Sequence, residues 1–539
     1  MNSTVSLLYP NGYQSGNPAG GSSFGEKAIE SLELRYIAML ICPYNTEFAL
    51  NVLTDLVTDE RVIAWRQDIL EDFIALPQLE IRLHKSIHTI YQNSLEVYAR
   101  SGSAQSFFEL MESIKSIESF AVCMEECHDF IREYGEKVKS EGVKAVLNEI
   151  ESRYQDGSFK QLMREVAELK NALENGVQSV TFGVNLDNLM RPSEIMLLSA
   201  SHEQIRRHSI FERLMQRGQT AEPISTIYSR KCKTGEMVAI DQLLFSELDK
   251  LGNGFMRQFN VSISNCYKDC TEFLMKLAPE IDFFVGAKGL AERSSSLGLS
   301  CCRPKILPMS ERKFLVSGMS DPVLVNKVRN MRMTNPDVPG IRSNDCKMDD
   351  SGRILIITGT NNGGKTTYIR AAAVNQILFQ AGLYVYADNA AISPCKGIFI
   401  HYPSEEKVGI NTSRFTEECK DLRDIVSRAN EYSLVLLNES LSSTNPYDSL
   451  IIAEELLKIF ADMGCRVLYT THVLEMTSLP EKINPLNLKS RLATLTAGCD
   501  ESGKPTYEIT TGKPDFSRNA QFIFNKYGIS YTKYKSSPQ

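Results

Sequence analysis

The chain has 539 residues, of which 42% are hydrophobic and 23% charged, and carries a formal net charge of -7 at pH 7. Its length exceeds what one hydrophobic core ordinarily supports, so about two to four domains are expected, and its mild acidity restricts any nucleic-acid contact to a local basic surface. No apolar run is long enough for a bilayer-spanning helix, and Met1-Asn-Ser-Thr-Val-Ser6 lacks the basic start and apolar core of a signal peptide; no membrane partner and a cytoplasmic location, or a nuclear one in a nucleated cell, are expected.

Residues 1–28, with Asn11-Gly-Tyr-Gln-Ser-Gly-Asn-Pro-Ala-Gly-Gly-Ser-Ser23, are rich in Gly, Ser and Asn and predict a loop or loose leader. From Ile29 to about Lys170 apolar residues recur at helical spacing, as in Ile63, Ile69, Leu70, Phe73 and Leu76, and predict several long helices. The period shortens at Ser179-Val-Thr-Phe-Gly-Val-Asn185; a turn at Leu189-Met-Arg-Pro-Ser193 and a second strand-like run, Glu194 to Ala200, make this an inserted hairpin near 179–200. Helical patterning resumes over Gln204–Ala221 and Asp241–Leu277. Arg206, Arg207, Arg213, Arg217, Arg230, Lys231 and Lys233 cluster there, either as a solvated helix face with its polar loop, which the spacing favours, or as a nucleic-acid surface.

The 13 cysteines are scattered and read most simply as reduced core thiols. Cys123 and Cys127, and Cys266 and Cys270, are pairs at helical spacing that would form a zinc site only if brought together. Five prolines between Arg303 and Pro339 mark the passage to a different architecture, beyond which strands and helices alternate.

There the chain reads Arg353-Ile-Leu-Ile-Ile-Thr-Gly-Thr-Asn-Asn-Gly-Gly-Lys-Thr-Thr-Tyr-Ile-Arg370, an apolar strand flowing into a phosphate-binding loop and then a helix. Gly359, Thr360, Asn361, Asn362, Gly363 and Gly364 can turn backbone N–H groups toward phosphate oxygens. Lys365 supplies positive charge, Thr366 a hydroxyl for Mg²⁺, and Thr367 completes the helix start. A nucleoside triphosphate, ATP, with Mg²⁺ is the expected ligand.

Further along, Leu434-Val-Leu-Leu-Asn438-Glu439 is an apolar strand ending in two polar residues, where a nucleotide hydrolase keeps its metal-side and water-side groups. Glu439 is the expected base. Asn438 stands where an Asp would support Mg²⁺, which is expected to weaken metal binding or slow turnover. Cys465-Arg-Val-Leu-Tyr-Thr-Thr471-His472 ends in a His suited to sensing the γ-phosphate or pinning the attacking water. Ser413 precedes a helix carrying Leu422, Ile425, Val426 and Ala429 on one face, and by its own sequence is an ordinary N-cap.

Together these residues resemble the ATPase of the MutS family of DNA mismatch-repair and recombination proteins, a branch of the ABC-type ATPases. The likeness is carried by Gly359 to Thr367, Gly382-Leu-Tyr-Val-Tyr-Ala387, Ser413-Arg-Phe-Thr-Glu-Glu418, Asn438-Glu439, Thr444-Asn-Pro-Tyr-Asp448-Ser-Leu450 and Thr470-Thr471-His472, and fades at a final helix from Ser517 to Tyr527. Arg61 to Leu70 is similar to the start of the family's helical lever. The resemblance implies a multi-domain chain: leader 1–28, a mainly α-helical lever and clamp over 29–312, an α/β P-loop (ABC-type) ATPase domain over 313–530, and a polar tail over 531–539. It also implies a homodimer in which Ser413 reaches the partner's γ-phosphate, and a switch that closes on DNA, branched or duplex, with a possible repair or recombination partner protein.

Departures from the family pattern qualify this. Only the short leader precedes the lever helices, so no mismatch-reading domain is expected; Phe107-Phe108-Glu109 fits the letters of the family's wedge but sits in a helical run and reads as core. No nuclease-like segment is expected after the ATPase. The family's Gly-Arg-Gly after the catalytic Glu is Leu441-Ser442-Ser443 here, and the residue in place of the adenine-stacking aromatic is Ile341. The leading expectation is thus a DNA-binding ATPase that switches a dimeric clamp. The alternative is a nucleotide-gated scaffold for DNA or protein with little or no hydrolysis, motivated by Asn438. A chromosome-structure ATPase with a long coiled-coil arm is disfavoured, because the two ATPase motifs lie close together and the helices break near Gly176 and Pro223.

Overall fold

The computed structural model describes residues 5–13, 25–100, 107–174, 179–186, 188, 192–201, 225–228, 255–360, 362–402, 414–500 and 504–512. Asn361, Ser413, the basic stretch 206–217 and 230–233, the helix expected at 517–527 and the tail 531–539 lie outside the described residues. In chain order, helices α1 (Glu26–Ser31), α2 (Leu34–Ile41), α3 (Thr46–Thr54), α4 (Glu60–Ala75), α5 (Pro77–Arg100), α6 (Phe107–Tyr134), α7 (Glu141–Gln155) and α8 (Gly157–Glu174) come first. Strands β1 (Ser179–Leu186), β2 (Pro192–Ser201) and β3 (Ser225–Tyr228) and the long helix α9 (Phe255–Ser295) follow. None of the described helices is long and apolar enough to cross a membrane.

The chain divides into two compact units: residues 1–77, 138–143 and 279–539 form one, residues 78–137 and 144–278 the other. In the second, Leu79, Leu83, Ile87 and Ile90 form the buried stripe of α5, and α6 contributes Ile117, Phe120, Met124 and Phe130. Phe120 meets Tyr267 edge to face at 5.5 Å, and the Tyr267 hydroxyl lies 3.0 Å from that of Ser94. Strands β1 and β2 pair antiparallel, and β3 adds antiparallel to β2. Phe107, Phe108 and Glu109 are helical, at the start of α6. Cys123, Cys127 and Cys270 are buried free thiols, and burial pushes Cys127 up to about 12. Among the described residues no cysteine belongs to a cluster of metal-binding groups, and the Cys266 side chain, the fourth of the two pairs, is outside the description.

The first unit holds two sheets. Strands β4 (Lys305–Ile306), β5 (Phe314–Met319), β6 (Asn344–Met348) and β8 (Asn389–Ile392) form a four-stranded sheet in the order β4-β8-β5-β6. Helix α10 (Pro322–Thr334) follows β5, with Asp321 as N-cap accepting from Val323 N and Pro322 at the first helical position. The six-stranded sheet runs β13-β12-β7-β11-β10-β9, from β7 (Ile354–Gly359), β9 (Gly397–His401), β10 (Ser433–Asn438), β11 (Arg466–Thr470), β12 (Leu492–Cys499) and β13 (Pro505–Thr511). All neighbours are parallel except the β12/β13 edge pair.

Strands buried on both faces need continuous apolar runs, and Ile354–Ile357, Leu434–Leu437 and Val467–Tyr469 supply them. Val435, Leu437, Val467 and Tyr469 point into one core with Leu422 and Ile425 of α12 (Arg414–Arg428) and Leu456, Leu457 and Phe460 of α13 (Pro446–Met463). Helix α11 (Lys365–Gln380) is buried along almost its whole length. Its polar residues are tolerated because they are bonded: Asn375 donates to Ser320 O at 3.0 Å and accepts from Tyr386 N at 2.7 Å, and Gln380 donates to Cys395 O at 2.8 Å. Residues 5–13, within the expected leader, are a loop pinned to α4, where Trp65 and Arg66 donate to Leu7 O and Leu8 O.

Candidate functional site

Parallel register brings the carboxyl ends of adjacent strands level, with Asn438 of β10 opposite Thr470 of β11 and the end of β7 beside them. In open α/β sheets that edge is where ligands bind. The turn after β7 requires glycine: Gly359 has φ +130°, and a Cβ there would lie 2.7 Å from Ala497 O. Gly364, at φ +89°, turns the chain into α11, and Asn362 sits in the left-handed region that Asn tolerates.

Lys365 is 5% exposed, and its ammonium donates to Gly359 O at 3.1 Å and Thr360 O at 3.0 Å, folding back over the loop. Burial lowers its pKa below the ordinary lysine value, and the Glu439 carboxylate acts in the opposite direction. The next hydroxyl, Thr366 Oγ1, donates to Asn438 Oδ1 at 3.0 Å, and Thr470 Oγ1 donates to the same oxygen at 2.9 Å. Glu439 is held by its own N–H, which donates to Thr470 O at 3.0 Å, in a backbone with φ +50°. Its carboxylate Oε1 lies 2.6 Å from His472 Nε2.

Asn362, Gly363, Gly364, Lys365, Thr366, Thr367, Glu439 and His472 line one cavity of about 730 Å³. Gly359 ends β7 and Thr360 follows it, both outside the cavity lining, and Asn438 is bonded to the lining residue Thr366. Only Asn361 and Ser413 of the residues expected at the site are outside the description; α12 begins at Arg414, directly after Ser413.

Ile341 also lines the cavity, and so does a residue that the sequence did not mark, Tyr507. Tyr507 is 52% exposed with φ +59°, and Asn344 anchors its strand by donating to Tyr507 O at 3.0 Å and accepting from Ile509 N at 2.7 Å. Nothing local in Pro505-Thr-Tyr507 marks it as a site residue. Only the antiparallel addition of β13 to the parallel sheet carries its ring to the loop before α11, where it would meet a Cβ at Gly364 at 3.5 Å.

The donor set fits a nucleoside triphosphate with Mg²⁺. A buried cation, an N-terminal helix end and a hydroxyl face the cavity. Thr366 and Asn438 offer neutral oxygens to a metal, with no carboxylate between them.

Comparison with known proteins agrees with this geometry. Residues 355–518 match the family model of MutS domain V, and residues 58–297 that of the MutS2 N-terminal domain. The DNA mismatch repair protein MutS of Ruegeria pomeroyi is 29% identical over 268 residues, 48% of this chain and 29% of that protein. The endonuclease MutS2 of Thermus thermophilus is 27% identical over 197 residues, 36% of this chain and 26% of that protein. The chain thus spans less than a third of the length of either relative. Two family models matching separate stretches of the sequence, and relatives that bear the same family name, identify the chain as a member of the MutS family.

Proposed function

We propose that this chain is a MutS-like, DNA-binding ATPase in which ATP binding and hydrolysis switch a dimeric clamp on DNA, in mismatch repair or recombination. The observation that carries the reading is the convergence of Lys365, Thr366, Glu439 and His472 on one cavity at the carboxyl edge of a parallel sheet. Residues 313–530 act as the ATPase domain and residues 29–312 as the lever and clamp, in line with the two family-model matches. A dimer through the ATPase domains would bring Ser413 to the partner's nucleotide. A cytoplasmic location, or a nuclear one in a nucleated cell, goes with this reading.

In the proposed cycle the Lys365 ammonium leaves the carbonyls of Gly359 and Thr360 for the β- and γ-phosphates. Thr366 and Asn438 would hold Mg²⁺, which offsets phosphate charge when bound. Glu439 takes a proton from the attacking water, and His472, already against its carboxylate, orients that group and contacts the γ-phosphate. Tyr507 stacks on the base, the role for which Ile341 is too weakly polarisable.

One observation favours the second reading, a nucleotide-gated scaffold with slow hydrolysis: Asn438 gives the metal an amide oxygen already shared by two hydroxyls. Binding to homoduplex, mismatched and branched DNA over a salt series, with and without ATP, tests the clamp. Affinity that falls with salt and changes with nucleotide supports it; affinity for none of the three DNAs sinks it.

A further inference from the structure

The turn that carries Glu439 is strained and clamped. Glu439 and Leu441 have φ of +50° and +67°, a conformation that side-chain-bearing residues keep only when their surroundings impose it. Besides Thr470, whose hydroxyl accepts from Glu439 N at 3.1 Å, four side chains do so. Tyr469 donates to Ser440 O at 3.0 Å, Ser449 donates to Leu441 O at 2.6 Å, and His401 Nδ1 lies 2.6 Å from the Ser440 hydroxyl. The fourth is Glu418, whose Oε2 accepts from the Ser443 hydroxyl at 2.7 Å. Tyr469, His401 and Ser449 sit on β11, β9 and α13, elements of the sheet and its core. Glu418 alone comes from α12, the helix that starts directly after Ser413.

Glu418 is also unusual chemically. It is 3% exposed, and its second oxygen, Oε1, is buried with no hydrogen-bond partner among the described residues. The Arg414 guanidinium stands 3.9 Å away, too long for a hydrogen bond, on the first residue of the helix. A buried carboxylate with an empty oxygen is costly, and the positive N-terminal end of α12 offsets only part of that cost. A purely structural contact to Ser443 would need no such charge.

We propose that Glu418, through Ser443, is a positioning residue that couples the N-terminal turn of α12 to the Glu439 turn, so that rearrangement of that helix turn on nucleotide binding resets the geometry of the base. The empty Oε1 is the point at which Arg414 closes when that end of the helix rearranges. The proposal rests on the reading of Glu439 as base, and its test separates the two.

Steady-state phosphate release and hydrogen exchange with and without adenylyl imidodiphosphate are measured on Glu418→Met, Ser443→Ala, Ser443→Thr, the Glu418→Met/Ser443→Ala double variant and Glu439→Gln. Glu418→Met keeps the unbranched stem while removing the carboxyl, and Ser443→Ala deletes one hydroxyl, so the second remains informative if the first fails to fold. Coupling predicts that each of the two lowers kcat roughly tenfold to a hundredfold at unchanged KM for ATP, as misplacement of a catalytic group does. The double variant is no worse than the more affected single, Ser443→Thr restores turnover, and the analogue-induced change in exchange at residues 440–445 disappears in Ser443→Ala. Unchanged kcat in Ser443→Ala, multiplying effects in the double variant, or a wild-type exchange response in Ser443→Ala overturns it. Turnover unaffected by Glu439→Gln refutes the base assignment alone, and the exchange measurement then decides the coupling.

Discussion

Asn438→Asp puts a charge where the site has an amide, and its consequence follows from three contacts. Asn438 is 8% exposed, and its Oδ1 accepts from Thr366 and Thr470. With aspartate both bonds become charge-assisted, and a full negative charge lies beside the expected Mg²⁺ position. Two unit charges about 4 Å apart attract by about 4 kcal/mol at an effective dielectric of about 20. Desolvation of a buried carboxylate takes back several kcal/mol, and the two hydroxyls return part of that. A net gain of about 1–3 kcal/mol remains, or about tenfold to a hundredfold in Mg²⁺ affinity in the presence of ATP. Without nucleotide and its metal the same buried charge keeps only the two hydroxyls as partners, so the apo protein should be no more stable than wild type. Phosphate release titrated with Mg²⁺ at fixed ATP, beside thermal unfolding of both forms, measures this. A half-saturating Mg²⁺ concentration equal in the two proteins would refute the argument that Asn438 limits the metal site.

Three further outcomes are expected. Tyr507→Ala should raise KM for ATP by about fivefold to a hundredfold with kcat little changed, since base stacking is worth about 1–3 kcal/mol; equal KM for ATP in both proteins would remove Tyr507 from the base site. Gly286→Ala should destabilise the first unit by about 1–3 kcal/mol in denaturant unfolding, because a Cβ on α9 would run into the Ile41 carbonyl at the end of α2; an unchanged midpoint would mean the helices separate freely. Burial lowers the His401 pKa below 6.5, with Glu418 and Asp421 opposing and Lys27 reinforcing. The unfolded chain therefore binds a proton that the native state refuses, and stability is lost as pH falls below about 6.5. His401→Gln should flatten that acid slope in unfolding midpoints measured from neutral to mildly acidic pH, and an unaltered slope would contradict the burial argument.

Much of the site could be read from sequence because its residues lie next to elements with strong local signatures. Ile354 to Thr358 is an unbroken apolar run, Gly359 and Gly364 occupy conformations that glycine accepts, and Lys365 opens a helix, so strand, loop and helix follow from local preference alone. Asn438 and His472 similarly stand at or just past the ends of runs that only a strand covered on both faces would carry. Tyr507 was not legible, since its place depends on β13 reversing direction at the sheet edge, a long-range pairing without a residue pattern of its own. Nor was the Glu418–Ser443 bond, which joins residues 25 apart through the packing of α12 on the sheet. The division into units also escaped a linear reading: residues 138–143 fold with the first unit because Asp72 accepts from Lys139 N at 3.1 Å and Ser140 N at 2.7 Å.

The central claim, that this cavity hydrolyses ATP with Glu439 as base, is tested most directly by phosphate release from wild type, Lys365→Ala and Glu439→Gln, with ATP binding measured in parallel. The account predicts turnover in wild type, loss of both binding and turnover in Lys365→Ala, and retained binding with turnover reduced at least about a hundredfold in Glu439→Gln. Wild-type turnover that survives Glu439→Gln, or ATP affinity that survives Lys365→Ala, would contradict it.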